Sequence, residues 1–111
     1  MNYELDIITR EQIPNSIYLC DGINDEWSMI HRFKFDNELE FYIGSNRSIG
    51  NVDEAIEMLK NDYDTFIDFN SPSEIQEYFY NEIDMFVKYE NCVKIYNYFH
   101  DNKERILEII V

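Results

Sequence analysis

The sequence predicts an α+β fold. It is an antiparallel sheet of about four to five strands with three helices, the last two forming an antiparallel hairpin on one face. Two patterns point to it. The first half of the chain alternates apolar and polar residues with a period of two. The second half carries apolar residues at three- and four-residue spacings, which put them on one face of a helix. Strands gathered in one part and helices in another argue for helices packed on an antiparallel sheet. With 111 residues there is material for one domain and not for two.

Each element has its own signal. In residues 3–8, Tyr3, Leu5 and Ile7 face one way and Glu4 and Asp6 the other, as on a half-buried strand. Residues 9–15, with Pro14, read as a connection. Residues 16–20 form a short β-like run that Asp21 and Gly22 close as a turn. Residues 26–35 put Trp27, Met29, His31, Phe33 and Phe35 on one face, and Ser28, Ile30, Arg32 and Lys34 on the other. Alternation resumes at Leu39, Phe41 and Ile43. A three-residue loop of Asp36, Asn37 and Glu38 then sets Phe35 against Leu39, Lys34 against Glu40 and Phe33 against Phe41. Such cross-strand pairs of opposite charges and of aromatics stabilise a hairpin. Asn37 is the loop residue expected to take the left-handed backbone.

The helical half begins at Asn51, which can cap a helix, with Glu54 placed to complete a capping box. Val52, Ala55, Ile56 and Leu59 give this helix an apolar stripe of about ten residues. Residues 63–69 then read as a strand, with Tyr63, Thr65, Ile67 and Phe69 on one face. Ser71, Pro72 and Glu74 mark a second helix start, with serine capping and proline at the first helical position. Its stripe is Ile75, Tyr78, Phe79, Ile83, Phe86 and Val87. A last helix runs from about Asn91, with Cys92, Ile95, Tyr96, Phe99, Ile106, Leu107 and Ile110 inward.

Charge is the strongest compositional statement. The chain has a formal net charge of −14, against a magnitude of about 2–8 for an ordinary small domain. The excess opposes folding by self-repulsion. It also opposes direct binding to nucleic acid or anionic lipid, which are themselves polyanions, and favours a cationic partner. Residues 53–90 hold eleven acids and two bases, a net of −9. With 45% hydrophobic and 16% aromatic residues there is enough apolar material for a core, so the acidity does not imply disorder. No basic-then-apolar leader opens the chain, and no apolar run reaches the ~18 residues of a membrane span. A cytoplasmic setting is expected, with Cys20 and Cys92 reduced and buried.

Signals for chemistry are weak. His31 shares a face with Trp27 and Phe33 and reads as a core histidine; His100, beside Asp101, reads as an edge residue. Cys20, His31, Cys92 and His100 lack zinc-ligand spacing. Asp62, Asp64 and Asp68 begin like a calcium loop. Phe66 and Ile67 then occupy positions that need an oxygen ligand and glycine, and Ser73 stands where the bidentate glutamate belongs. No phosphate loop, nucleophile elbow or metalloprotease motif occurs. The expectation is a binding protein without catalytic role, metal or cofactor.

The candidate partner-binding residues are Asp62, Asp64, Asp68, Glu74, Glu77, Tyr80, Asn81 and Asp84. They are acids of the central segment with an exposed tyrosine among them. Tyrosine is enriched in binding hot spots, and rim charges set association rate. Helical projection also puts Glu82 inside the stripe of its helix, and Lys103 inside that of the last. A buried charge must be paired or neutralised, so Glu82 is a candidate for an ion pair that fixes helix register.

In general character the chain resembles bacterial toxin-immunity proteins of contact-dependent and related systems, which are small, acidic, cysteine-poor and cytoplasmic. The likeness rests on composition and build, with no shared motif and no residue carried over. It implies an inhibitor that occludes a cationic toxin domain, such as a nuclease, by charge complementarity. Two other classes fit the same composition. One is a phage or mobile-element inhibitor that mimics nucleic acid with spaced carboxylates; the other is a structural or adaptor domain whose acidity serves solubility.

Overall fold

A computed structural model of the chain describes residues 2–21 and 27–111. Three antiparallel strands form the sheet: β1 (Tyr3–Ile8), β2 (Met29–Phe35) and β3 (Glu40–Ser45), in that spatial order. Four helices follow: α1 (Val52–Phe66), α2 (Pro72–Glu82), α3 (Tyr89–Asp101) and α4 (Lys103–Ile110). The α+β class is as expected, with fewer strands and one more helix.

The β2–β3 hairpin has the register that side-chain pairing predicts. Lys34 lies opposite Glu40, Phe33 opposite Phe41, and the Phe35 N–H donates to the Leu39 carbonyl at 2.9 Å. The left-handed loop residue is Glu38 (φ 66°), not Asn37. Asn37 is spent on hydrogen bonds instead. Its side chain accepts from the Leu39 N–H at 3.2 Å and donates to the Arg105 carbonyl at 2.9 Å, tying the hairpin to α4.

Two expected strands are absent. Residues 16–20 keep their alternation but build no ladder. Ile17 and Leu19 pack toward one cluster, while Tyr18 and Cys20 enter the main core. Cys20 alone joins the sheet, donating to the Tyr42 carbonyl at 2.9 Å and accepting from the Gly44 N–H at 3.0 Å. Asp21 takes the left-handed conformation expected of a turn (φ 58°); Gly22, and the strand start at Glu26, lie outside the described residues. Residues 63–69 belong mainly to α1, whose length is 15 residues, not about ten. As a strand this segment would bury Tyr63 and Thr65 and turn Phe66 outward. As a helix it extends the Ala55 and Leu59 stripe to Tyr63 and Phe66, all four buried. The helix thus keeps Phe66 in register with the stripe that begins at Ala55, and Ile67 and Phe69 still pack, partly buried, against the same core beyond its end.

Helix starts follow their caps. The Asn51 side chain accepts from the Asp53 N–H at 2.9 Å and that of Ser71 from the Glu74 N–H at 3.3 Å. The boxes do not close as expected. Glu54 pairs with Arg47, and Glu74 accepts from the Asn70 N–H at 2.8 Å, one residue before the cap. The last helix is broken at Asn102, whose side chain donates to the Tyr98 carbonyl at 2.9 Å; α4 then restarts.

One face of the sheet, with Phe33, Phe35, Phe41 and Ile43, packs against all four helices through Leu59, Phe66, Ile75, Phe79, Ile95, Phe99 and Ile106. The reverse face carries Ile8, Ile30 and Tyr42 under Ile13, Ile17 and Leu19. Ile13, Ile17 and Leu19 therefore cover the face without helices, while Tyr18 and Cys20 of the same segment enter the helix-side core. Trp27, expected on the His31 face, instead lies over Gly44. A Cβ there would sit 2.4 Å from the indole Cδ1.

Candidate functional site

The end of α2 is where the structure departs most usefully from the sequence pattern. Periodicity carries the helix through Val87, with Ile83 and Phe86 inward. The helix ends at Glu82. Asp84 adopts the left-handed conformation (φ 57°), and the Phe79 carbonyl accepts from both the Ile83 and Met85 N–H groups, at 3.2 and 3.0 Å. Val87 then takes the core position, 2% exposed, and its carbonyl accepts from the Gln76 side chain at 2.8 Å. With Val87 anchored, Phe86 is turned out and stands 72% exposed, with Ile83 at 46%.

Tyr80 and Tyr89 are exposed in the same stretch of chain. Among the described residues seven large apolar side chains are exposed, and four of them lie between positions 80 and 89. Large apolar side chains left exposed in one short stretch of chain mark a candidate interaction site. The same stretch carries Glu77, Asn81, Glu82, Asp84 and Glu90, all exposed. Of the sequence candidates, Glu77, Tyr80, Asn81 and Asp84 are exposed in this stretch. Ile83, Phe86 and Tyr89 were not legible as surface, because helical spacing assigned the first two to the core.

The remaining candidates divide. Asp64 and Asp68 are exposed on α1 and at its exit, not on the solvent side of a strand. No hydrogen bond or ion pair links them to α2. Glu74 is half-buried and engaged at the Asn70 N–H. Asp62 does not belong to the surface set at all. It is half-buried and accepts from the Tyr18 hydroxyl at 3.0 Å. Burial raises its carboxyl above the ordinary 3.8, against the lowering effect of hydrogen bonds from Cys20 and Tyr18. Glu82 and Lys103 are both exposed, so the register-fixing ion pair is withdrawn. Glu82 is the last residue of α2, and its side chain stands in solvent.

Burial favours the protonated, neutral forms of the interior hydroxyls and thiols. Burial pushes the Tyr18 and Tyr98 hydroxyls and the Cys20 and Cys92 thiols up, and the Asp62 charge adds to the rise at Tyr18, Cys20 and Tyr98. A thiol with a raised pKa is a poor nucleophile. Both cysteines are free and buried. Tyr42, pushed up to about 12 mainly by burial, donates to Glu40 at 2.6 Å. His31 is fully buried. Its Nε2 lies 3.2 Å from the Arg47 carbonyl, which can only accept, so Nε2 carries the proton. His100 is half-buried, with Nε2 3.1 Å from the Phe69 carbonyl and its ring stacked on Tyr96. Among the described residues no group of three or more His, Cys, Asp or Glu side chains could hold a metal ion. No helix among them is long and apolar enough to cross a membrane.

A cleft of about 450 Å³ borders the stretch at positions 80–89, between residues 10–19 and the start of α3. Phe86 forms one lip, and Arg10, Lys88 and Lys94 line it, three of the nine bases in the chain. On this side the acidic stretch gives way to a cleft of mixed charge, where Glu90 stands among the three bases. Comparison with known family profiles, with curated proteins and with solved structures finds no match to this chain, so the reading of the site rests on its own chemistry.

Proposed function

We propose that this chain is an acidic binding protein that docks a cationic protein partner through the end of α2 and the loop after it. In biological terms we read it as an inhibitor of the immunity type, which occludes a basic toxin domain such as a nuclease. The observation that carries the reading is the patch of Tyr80, Ile83, Phe86 and Tyr89, set among Glu77, Glu82, Asp84 and Glu90. An aromatic centre desolvated on binding supplies affinity, and the acids around it steer the encounter. On this reading the complex forms in the cytoplasm, where Cys20 and Cys92 stay reduced.

The test is affinity capture from the native host with wild-type chain and a Phe86→Ala, Glu77→Lys, Asp84→Lys variant, with the captured proteins identified by mass spectrometry. A basic protein held by the wild type and lost by the variant is expected. Co-expression of the chain should then protect cells from that partner. In purified form, charge reversal at 77 and 84 should lower the association rate, and added salt should erase the difference. Equal capture by both proteins, or an association rate indifferent to charge and salt, overturns the proposal.

A further inference from the structure

The two edges of the sheet are treated differently. In an antiparallel ladder, successive residues bond to opposite neighbours. Phe35 bonds to Leu39, so the odd-numbered residues of β2 serve β3. The even-numbered ones, Ile30, Arg32 and Lys34, then serve β1 through Ile8, Asp6 and Glu4. Tyr42 and Gly44 turn away from β2 by the same alternation, and it is they that bond Cys20. The outer edge of β3 is thus closed in part by the chain itself.

The outer edge of β1 is open. The alternation leaves the N–H and C=O groups of Tyr3, Leu5 and Ile7 pointing outward. Among the described residues, no backbone or side-chain hydrogen bond from outside the sheet reaches these three. Their side chains share one face. Ile7 is 59% exposed, Tyr3 39%, and Leu5 is half-buried. Natural edge strands are commonly protected by lysine, proline or a bulge. β1 has neither lysine nor proline, and it pairs in unbroken register over six residues.

Charge selects the occupant. Glu4 and Asp6 project from the other face of the strand, Glu4 opposite Lys34 and Asp6 held in an ion pair by Arg32 at 2.6 Å, so the steering of an incoming strand falls mainly to Glu4 and to the net charge of −14. A second copy paired antiparallel about Leu5 would set Glu4 against Asp6 twice, and like charges directly opposite are destabilising. Two molecules of net charge −14 would also repel as wholes. A strand alternating basic and aliphatic residues has neither conflict. Its cations lie beside Glu4 and Asp6, and its aliphatics beside Tyr3, Leu5 and Ile7.

We propose that the outer edge of β1 accepts an extended cationic segment of a partner protein, which joins the sheet as a fourth strand. Main-chain hydrogen bonds supply affinity in such strand addition, and alternate side chains supply specificity. This surface is separate from the α2 patch and stands without it.

The probe is a synthetic peptide of alternating valine and lysine, about eight residues long, a common strand length. It is titrated into the full-length chain and followed by amide NMR. A second peptide of the same charge is N-methylated at alternate residues on its bonding edge, and so cannot donate. The expected result is shifts centred on the Tyr3, Leu5 and Ile7 amides. Affinity should fall at least about tenfold on N-methylation and with Ile7→Lys, and should not change with Phe86→Ala. Circular dichroism verifies that Ile7→Lys, at an exposed edge position, leaves the fold intact. Equal binding of the methylated peptide would mean charge attraction alone and would overturn the proposal. So would shifts confined to α2. A dimer in sedimentation that Ile7→Lys dissolves would make a second copy the occupant, with the same consequence.

Discussion

Gly44 is the residue on which the join between sheet and cover depends. The chain has one tryptophan, Trp27, and its ring lies where a Cβ at position 44 would be. A Gly44→Ala substitution must displace the indole from the sheet. The expected loss is about 1–3 kcal/mol, typical of overpacking, with a red shift of the single tryptophan emission. Chemical denaturation followed by fluorescence reads both. Asp62 offers a different residue-scale experiment. Its raised pKa means that the ionised carboxylate is less at home in the folded chain than in the unfolded one. Its stabilising protonated form is complete below the unfolded value near 3.9 and is lost as pH rises through the folded value. Asp62→Asn keeps an acceptor for the Tyr18 hydroxyl and removes the charge. The variant should gain most over wild type at neutral pH, and the gain should shrink as pH falls toward about 4. Paired melting curves across that range check the slope. An Asp62→Ala variant, which leaves the buried hydroxyl without its partner, should lose about 1–3 kcal/mol instead.

The informative element is the end of α2. Residues 86 and 87 are adjacent, both apolar, and opposite in role. Val87→Ala should cost about 2 kcal/mol, because it opens a cavity under the Gln76 hydrogen bond. Phe86→Ala should leave stability within about 0.5 kcal/mol, as for other surface positions. Thermal melts of the two variants decide this, and the reverse ranking would show that Phe86 is packed. The sequence pattern could not separate them. A helix running to 87 satisfies periodicity equally well, and what ends it is the carbonyl of Phe79 taking two N–H groups while Asp84 turns left-handed. The β2–β3 hairpin shows the opposite case. There the paired residues are near in sequence, and local alternation was enough to read the register.

At the scale of the whole molecule, net charge is the governing quantity. Two ion pairs stand out, Arg32 with Asp6 at 2.6 Å and Arg47 with Glu54, and both have partly exposed side chains. Exposed pairs contribute about 0–1 kcal/mol each, so they cannot offset the repulsion among 23 acids. Screening should therefore stabilise the fold. Melting temperature should rise with sodium chloride up to about 1 M, where the screening length is ~3 Å. A flat or falling curve in calorimetry would mean that the acids lie too far apart to repel. The patch at positions 80–89 coexists with this field, since charge keeps molecules apart that exposed Phe86 would otherwise bring together.

The sequence by itself determined the α+β class, the β2–β3 register, the caps at Asn51 and Ser71, and the burial of Cys20, His31 and Cys92. These follow from local periodicity, from near neighbours and from hydrophobicity. Tertiary structure decided whether residues 16–20 and 63–69 pair as strands, which acids reach the surface, and which of Phe86 and Val87 is buried. Those outcomes depend on partners distant in the chain: β3 for Cys20, Tyr18 for Asp62, and Phe66 and Phe79 in one core. A pattern of apolar residues states that a side chain seeks burial. It does not state which long-range contact will supply it.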